Sequence, residues 1–208
     1  MGFLFPADQV TAAYTELRER VVALLRSVDP TCASRRVPHC PAWTVGDLVA
    51  HMVGVPDDIL NGRLEGVASD AWTQAQVDRR RGMTLVELAD EYEAGAPSFD
   101  TVLPMIPEPV NSQVVMDAVT HEHDLRFALD SDGARDSLAV RVGVGWLLDM
   151  VEGHDPALAA RLVGSGIPEW DLLRSLGGRR SAAQMDALGL DGAAIVSRLA
   201  GTPLRPPS

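Results

Sequence analysis

Apolar residues in this chain recur at intervals of three and four, the period of a helix with one buried face. Val10, Ala13, Tyr14, Leu17, Val21, Leu24 and Val28 form such a stripe and predict a first helix from Asp8 to Val28, stopped by Asp29-Pro30. Thr31 to Trp43 reads as a loop held extended by Pro38 and Pro41. Thr44, with Asp47 three residues on, predicts a capped second helix that Pro56 should kink or end. A short helix is expected over Ala71–Arg81, with Arg79-Arg80-Arg81 as its solvated end. Thr84 and Glu87 cap the next long helix, whose inner stripe is Leu85, Leu88, Ala89 and Tyr92. Val110 to Leu129 contains no Gly or Pro and predicts another. A further helix is expected from Asp136 to Val151, with Leu138, Val142, Trp146 and Met150 as core. Short helices follow at Pro156–Val163, Pro168–Leu176, Ser181–Leu188 and Asp191–Ala200, and the Pro-rich tail from Gly201 is expected to fray. No alternating strand pattern of useful length and no internal repeat is present. The expected class is therefore all-α: one domain, with a four-helix bundle core over about 8–152 and a helical extension over about 153–200.

Composition narrows the chemistry. The chain's 208 residues, 46% of them hydrophobic, are enough for one real core. A net charge of −11 argues against nucleic acid or an anionic membrane as partner. All 18 basic residues are Arg, which removes lysine Schiff-base and general-base mechanisms and suggests a GC-rich, actinobacterial-type source. Met1 to Pro6 is too short, and lacks the basic flank, for a secretion signal, and no apolar run has the length of a membrane span. A cytoplasmic protein with Cys32 and Cys40 as thiols is expected, monomeric or homodimeric.

The densest chemistry is the stretch Asp117 to Asp124, which packs two His and three carboxylates into eight residues. On a helix, Asp117 and His121 share one face at i and i+4, with Asp124 near it, while His123 points away with Thr120, Met116 and Phe127. An acid and a His at that spacing can aim at one metal ion; on this stretch alone a solvated helix face accounts for them as well. His51 lies among Leu48, Met52 and Val55 on the apolar side of its helix, where a satisfied core histidine is the other reading. Bundles collect metal ligands from facing helices, so His51, Asp117 and His121 together would give three ligands and an open position, the catalytic arrangement for zinc. Cys32, His39 and Cys40 fit no standard zinc spacing. Gly143-Val144-Gly145 lacks the strand context of a dinucleotide loop and fits close helix packing. Trp43 and Trp72 could wall a pocket, and Arg126, Arg179 and Arg180 could meet a substrate carboxylate or pair on the surface.

Three blocks also resemble a known family. Pro38 to Met52, PHCPAWTVGDLVAHM, is similar to the CPGWTVADLVAHL signature of the mycothiol-dependent maleylpyruvate isomerase N-terminal domain, within the DinB/YfiT-like superfamily. Asp117 to Leu125 resembles its second signature, E-x-x-x-H-x-x-D. Trp170 to Arg174 and Gly178 to Ser181 resemble a late block. The resemblance spans roughly Asp8 to Leu190 and implies a DinB-like four-helix bundle. It implies a divalent metal, zinc first, on His51, Asp117 and His121, and a low-molecular-weight thiol such as mycothiol acting with a small-molecule substrate in isomerisation or S-transfer. Asp124 or Glu122 would then orient a ligand histidine. Asp117 departs from the usual Glu by one methylene, and His123 stands where Trp is common. A metal-dependent hydrolase and a non-catalytic metal- or small-molecule-binding bundle are the alternative functions.

Overall fold

The computed structural model describes residues 2–207, so Met1 and Ser208, the outermost residues of the leader and tail readings, lie outside it. Among the described residues there are eleven α-helices, two short 3-10 turns and one two-stranded hairpin. The all-α class expected from the periodicity is what the chain adopts. None of these helices is long and apolar enough to cross a membrane.

The chain forms two compact units. One comprises residues 2–13, 107–120 and 134–207, the other Tyr14–Ile106 and His121–Gly133. Helices α1 (Ala7–Ser27) and α6 (Val110–Ala128) run unbroken through both. In the first unit, α7 (Leu138–Glu152) packs with α8 (Pro156–Val163) and α9 (Glu169–Leu176). A Cβ on Gly143 would come within 3.0 Å of Val119 Cγ1 and 3.1 Å of Leu173 Cδ1, so the Gly-rich stretch serves close packing. Helices α10 (Ala182–Asp186) and α11 (Gly192–Leu199) pack on each other. The tail is docked rather than frayed: the Leu204 carbonyl carbon lies 2.8 Å from where a Cβ on Gly178 would stand.

The second unit is organised around α2 (Val45–Leu60), which packs with α3 (Asp70–Arg79), α4 (Leu85–Ala94) and α5 (Ala96–Val102). Thr44 and Asp47 form the expected capping box, as do Thr84 and Glu87. α2 passes through Pro56 because Val53, Val55 and Pro56 are all buried, and that packing outweighs one lost backbone hydrogen bond. The expected loop before α2 is instead a 3-10 turn (Pro30–Ser34) and a hairpin of β1 (Arg36–Val37) and β2 (Cys40–Thr44). Two further expectations are corrected. Met150 is exposed, the inner face of α7 being Val142, Trp146, Leu147 and Val151. Arg80 is buried, not solvated, and bonds Asp57 Oδ2 at 2.8 Å and Glu91 Oε1 at 2.5 Å.

Asp58, 1% exposed, takes hydrogen bonds from Arg63, Gln76 and Arg79. Burial pushes its carboxyl up, but those bonds and the charge of Arg79 together hold it below the usual carboxylate range. A lowered folded value means stability that is complete above the unfolded value near 3.9 and lost as pH falls through the folded one. Asp58→Asn is expected to cost about 2 kcal/mol at pH 7. The gap between its thermal melts and those of the native chain should close as pH falls from 5 towards 2; a constant gap would mean that Asp58 stabilises by shape alone.

Candidate metal centre

The hairpin, α2, α3 and α6 supply every side chain of the site. The Thr44–Asp47 capping box fixes the start of α2, and the apolar run that follows turns His51 inward, leaving it 4% exposed. His121, 7% exposed, comes from α6. The two imidazoles meet edge to face, ring centroids 5.0 Å apart and planes at 87°. Because α6 is one unbroken helix, half-buried Asp117 stands one turn ahead of His121. One ligand atom from each of His51, Asp117 and His121 lies within 4.8 Å of the others.

That donor set suits a divalent ion. Two imidazole nitrogens and a carboxylate oxygen are ordinary zinc ligands. Trp43, on β2, covers the pair, its ring centroid 5.3 Å from that of His51 and 6.0 Å from that of His121. Trp72 is engaged elsewhere, donating its indole N–H to the Arg63 carbonyl at 2.8 Å.

The two acids beside His121 are used differently. Asp124, with no exposed surface, brings Oδ2 to 3.3 Å from His121 Nδ1. A carboxylate on that nitrogen orients the ring and favours Nε2 as the ligating atom. Glu122 is equally buried but faces Arg20, which grips it with two bonds of 3.0 and 2.8 Å, and Arg126, at 3.1 Å. Arg126 also donates to the Asp132 carbonyl. Arg180 lies over Trp170 and pairs with Asp171. His123, 5% exposed, is in neither of the donor groups found among the described residues.

A second donor group emerges from the hairpin. Cys40, His121 and Asp124 each offer a ligand atom within 4.8 Å of the other two. Cys40 Sγ is 3.7 Å from Asp124 Oδ2, and His39 Nδ1 is 3.7 Å from Oδ1 of the same carboxylate. Sequence spacing could not have paired Cys40 with His121, since the hairpin that delivers it has strands of two and five residues carrying Pro41. Also unforeseen is Gln76 of α3. It has no exposed surface, and its Oε1 lies 2.7 Å from His51 Nδ1.

The family model described as the mycothiol maleylpyruvate isomerase N-terminal domain matches residues 14–129, more than half of the chain and the part that contains His51, Asp117 and His121. No match was found among curated proteins or among solved structures. The all-α fold is DinB-like, and the chain belongs to the mycothiol maleylpyruvate isomerase N-terminal domain family.

Proposed function

We propose that the chain is a divalent-metal-dependent enzyme that uses a low-molecular-weight thiol, mycothiol in the first instance, to isomerise or S-transfer a small-molecule substrate. The observation that carries this is the grouping of His51, Asp117 and His121, within 4.8 Å of one another, inside the matched region of a mycothiol-related family. These three would hold the ion, zinc being the first choice for two imidazoles and a carboxylate. When bound there, a divalent ion supplies the positive charge that favours the thiolate form of a thiol, the nucleophilic form.

The protein's own groups prepare the place. His51 and His121 would present imidazole nitrogens and Asp117 a carboxylate oxygen, and the Trp43 ring lies 5.3 and 6.0 Å from the two imidazoles. Asp124 steadies His121 from behind. Asp117, one turn from His121 on α6, would supply the carboxylate ligand from the same helix.

The test is metal analysis of untagged protein loaded with zinc, followed by assay with mycothiol. One equivalent of zinc, lost in Asp117→Ala, and thiol-dependent turnover support the proposal. Zinc with ester or amide hydrolysis and no use of thiol would make the chain a hydrolase; zinc without turnover would make it a binding protein. A second reading of the ligand set rests on the Cys40, His121 and Asp124 group, which would hold a thiophilic ion through Cys40. Under the main reading Cys40→Ser retains zinc; under the second it loses it.

A further inference from the structure

His51 is held from behind by a buried chain of hydrogen bonds whose direction is dictated by chemistry. Asp58 is the anchor. Its carboxylate, 1% exposed, receives Arg63 Nε at 2.6 Å and is also bonded by Arg79. An ionised carboxylate only accepts, so the atom of Gln76 that meets Asp58 Oδ2 at 2.8 Å must be the amide nitrogen. The amide oxygen therefore faces His51 Nδ1, 2.7 Å away. An amide oxygen also only accepts, so Nδ1 carries the proton, and Nε2 is left with the lone pair. Asp58, by fixing the sense of the Gln76 amide, thus selects one of two tautomers at His51.

The packing is built for this contact. Gln76 and Val77 are the buried residues of α3, and Gln76 enters α2 at Gly54. A Cβ on Gly54 would lie 2.5 Å from Gln76 Cβ and 2.7 Å from its Cγ, which no real pair of atoms tolerates. Gly54 is one turn from His51 on the same helix, so the missing side chain is what seats the amide beside the ring.

We infer that Gln76 is a positioning residue that fixes the tautomer and ring orientation of His51, with Asp58 setting the sense of the amide, so that Nε2 is the ligating nitrogen. The inference rests on the proposed metal role of His51 for its purpose, but its first readout needs no metal. In long-range proton–nitrogen spectra of the metal-free protein, His51 should be protonated at Nδ1. Gln76→Met, which fills similar space but replaces the amide oxygen with a much weaker thioether acceptor, should shift it towards Nε2–H and lower zinc affinity by about 10- to 100-fold, the range for partners behind a ligand. Asp58→Asn should scramble the tautomer as well, because an asparagine can accept or donate and no longer dictates the amide's direction. A merely structural Gln76 would leave the tautomer unmoved. Should Gln76→Met fail to fold, Asp58→Asn carries the test alone.

Nε2–H in the native protein, or an unchanged Nδ1–H in the folded variants, overturns the inference. If the tautomer responds as expected while the native protein takes up no zinc, the clamp stands and the metal reading falls.

Discussion

His51→Ala is expected to abolish zinc binding while leaving a folded protein. The imidazole is the sole ligand that α2 contributes to its group, and without it Asp117 and His121 remain as two donors on one helix. Removal of a partner behind a ligand costs 10- to 100-fold in affinity, so removal of the ligand itself should exceed about 100-fold. The cost in stability is smaller. The buried oxygen of Gln76 loses its donor, and Trp43 and His121 lose a ring contact, together about 2 kcal/mol. Calorimetric zinc titration beside a urea melt separates the two effects. His123→Ala is the control: it removes a buried imidazole that belongs to neither donor group and should retain zinc. Loss of zinc in His123→Ala with retention in His51→Ala would place the ion elsewhere.

Glu122→Ala should do the reverse, destabilising the chain without touching zinc. Glu122 has no exposed surface and neutralises both Arg20 and Arg126, so its removal strands two guanidinium groups. Removing one partner of a fully buried ion pair costs 3–5 kcal/mol; Arg20 is 27% exposed, so about 3 kcal/mol is expected. The urea midpoint should fall with an unchanged slope, since the surface exposed on unfolding is the same. Glu122→Gln, which keeps one good acceptor, should fall less. A Glu122→Ala protein of native stability that has lost zinc would mean the carboxylate acts on the site rather than on the arginines.

The contrast between those two residues shows what a sequence can and cannot carry. Helices were legible wherever an apolar stripe is buried, as along α1 and α4, and the capping boxes at Thr44 and Thr84 marked the starts of α2 and α4. The pairing of Asp117 with His121 is local helix geometry and needed no fold. His51 joined them on the strength of its apolar face and the family signature around it. What escaped depends on long-range contacts without period. The hairpin is too short for alternation to register, so Cys40 read as an isolated thiol, although it stands 3.7 Å from Asp124. α3 buries little, and no pattern distinguishes Gln76 from its exposed neighbour Gln74. Glu122 and Asp124 are two apart on α6 and equally buried, yet only the fold says that one meets Arg20 and the other His121. Arg80 looked like part of a solvated basic end because its partners, Asp57 and Glu91, come from α2 and α4. Pro56 looked like a stop because its surroundings, which override it, are not written beside it.

The central claim, a thiol-using metal centre on His51, Asp117 and His121, is tested most directly by cobalt substitution and thiol titration. Cys40→Ser protein is the right starting point, since Cys40 sits beside His121 and Asp124 and could itself colour the cobalt spectrum. Mycothiol added to the cobalt-loaded Cys40→Ser protein should raise a saturating thiolate-to-cobalt absorption band, and the same titration of a His51→Ala, Cys40→Ser protein should raise none. A cobalt-loaded Cys40→Ser protein whose spectrum is untouched by mycothiol, or a band that survives the loss of His51, would contradict the account.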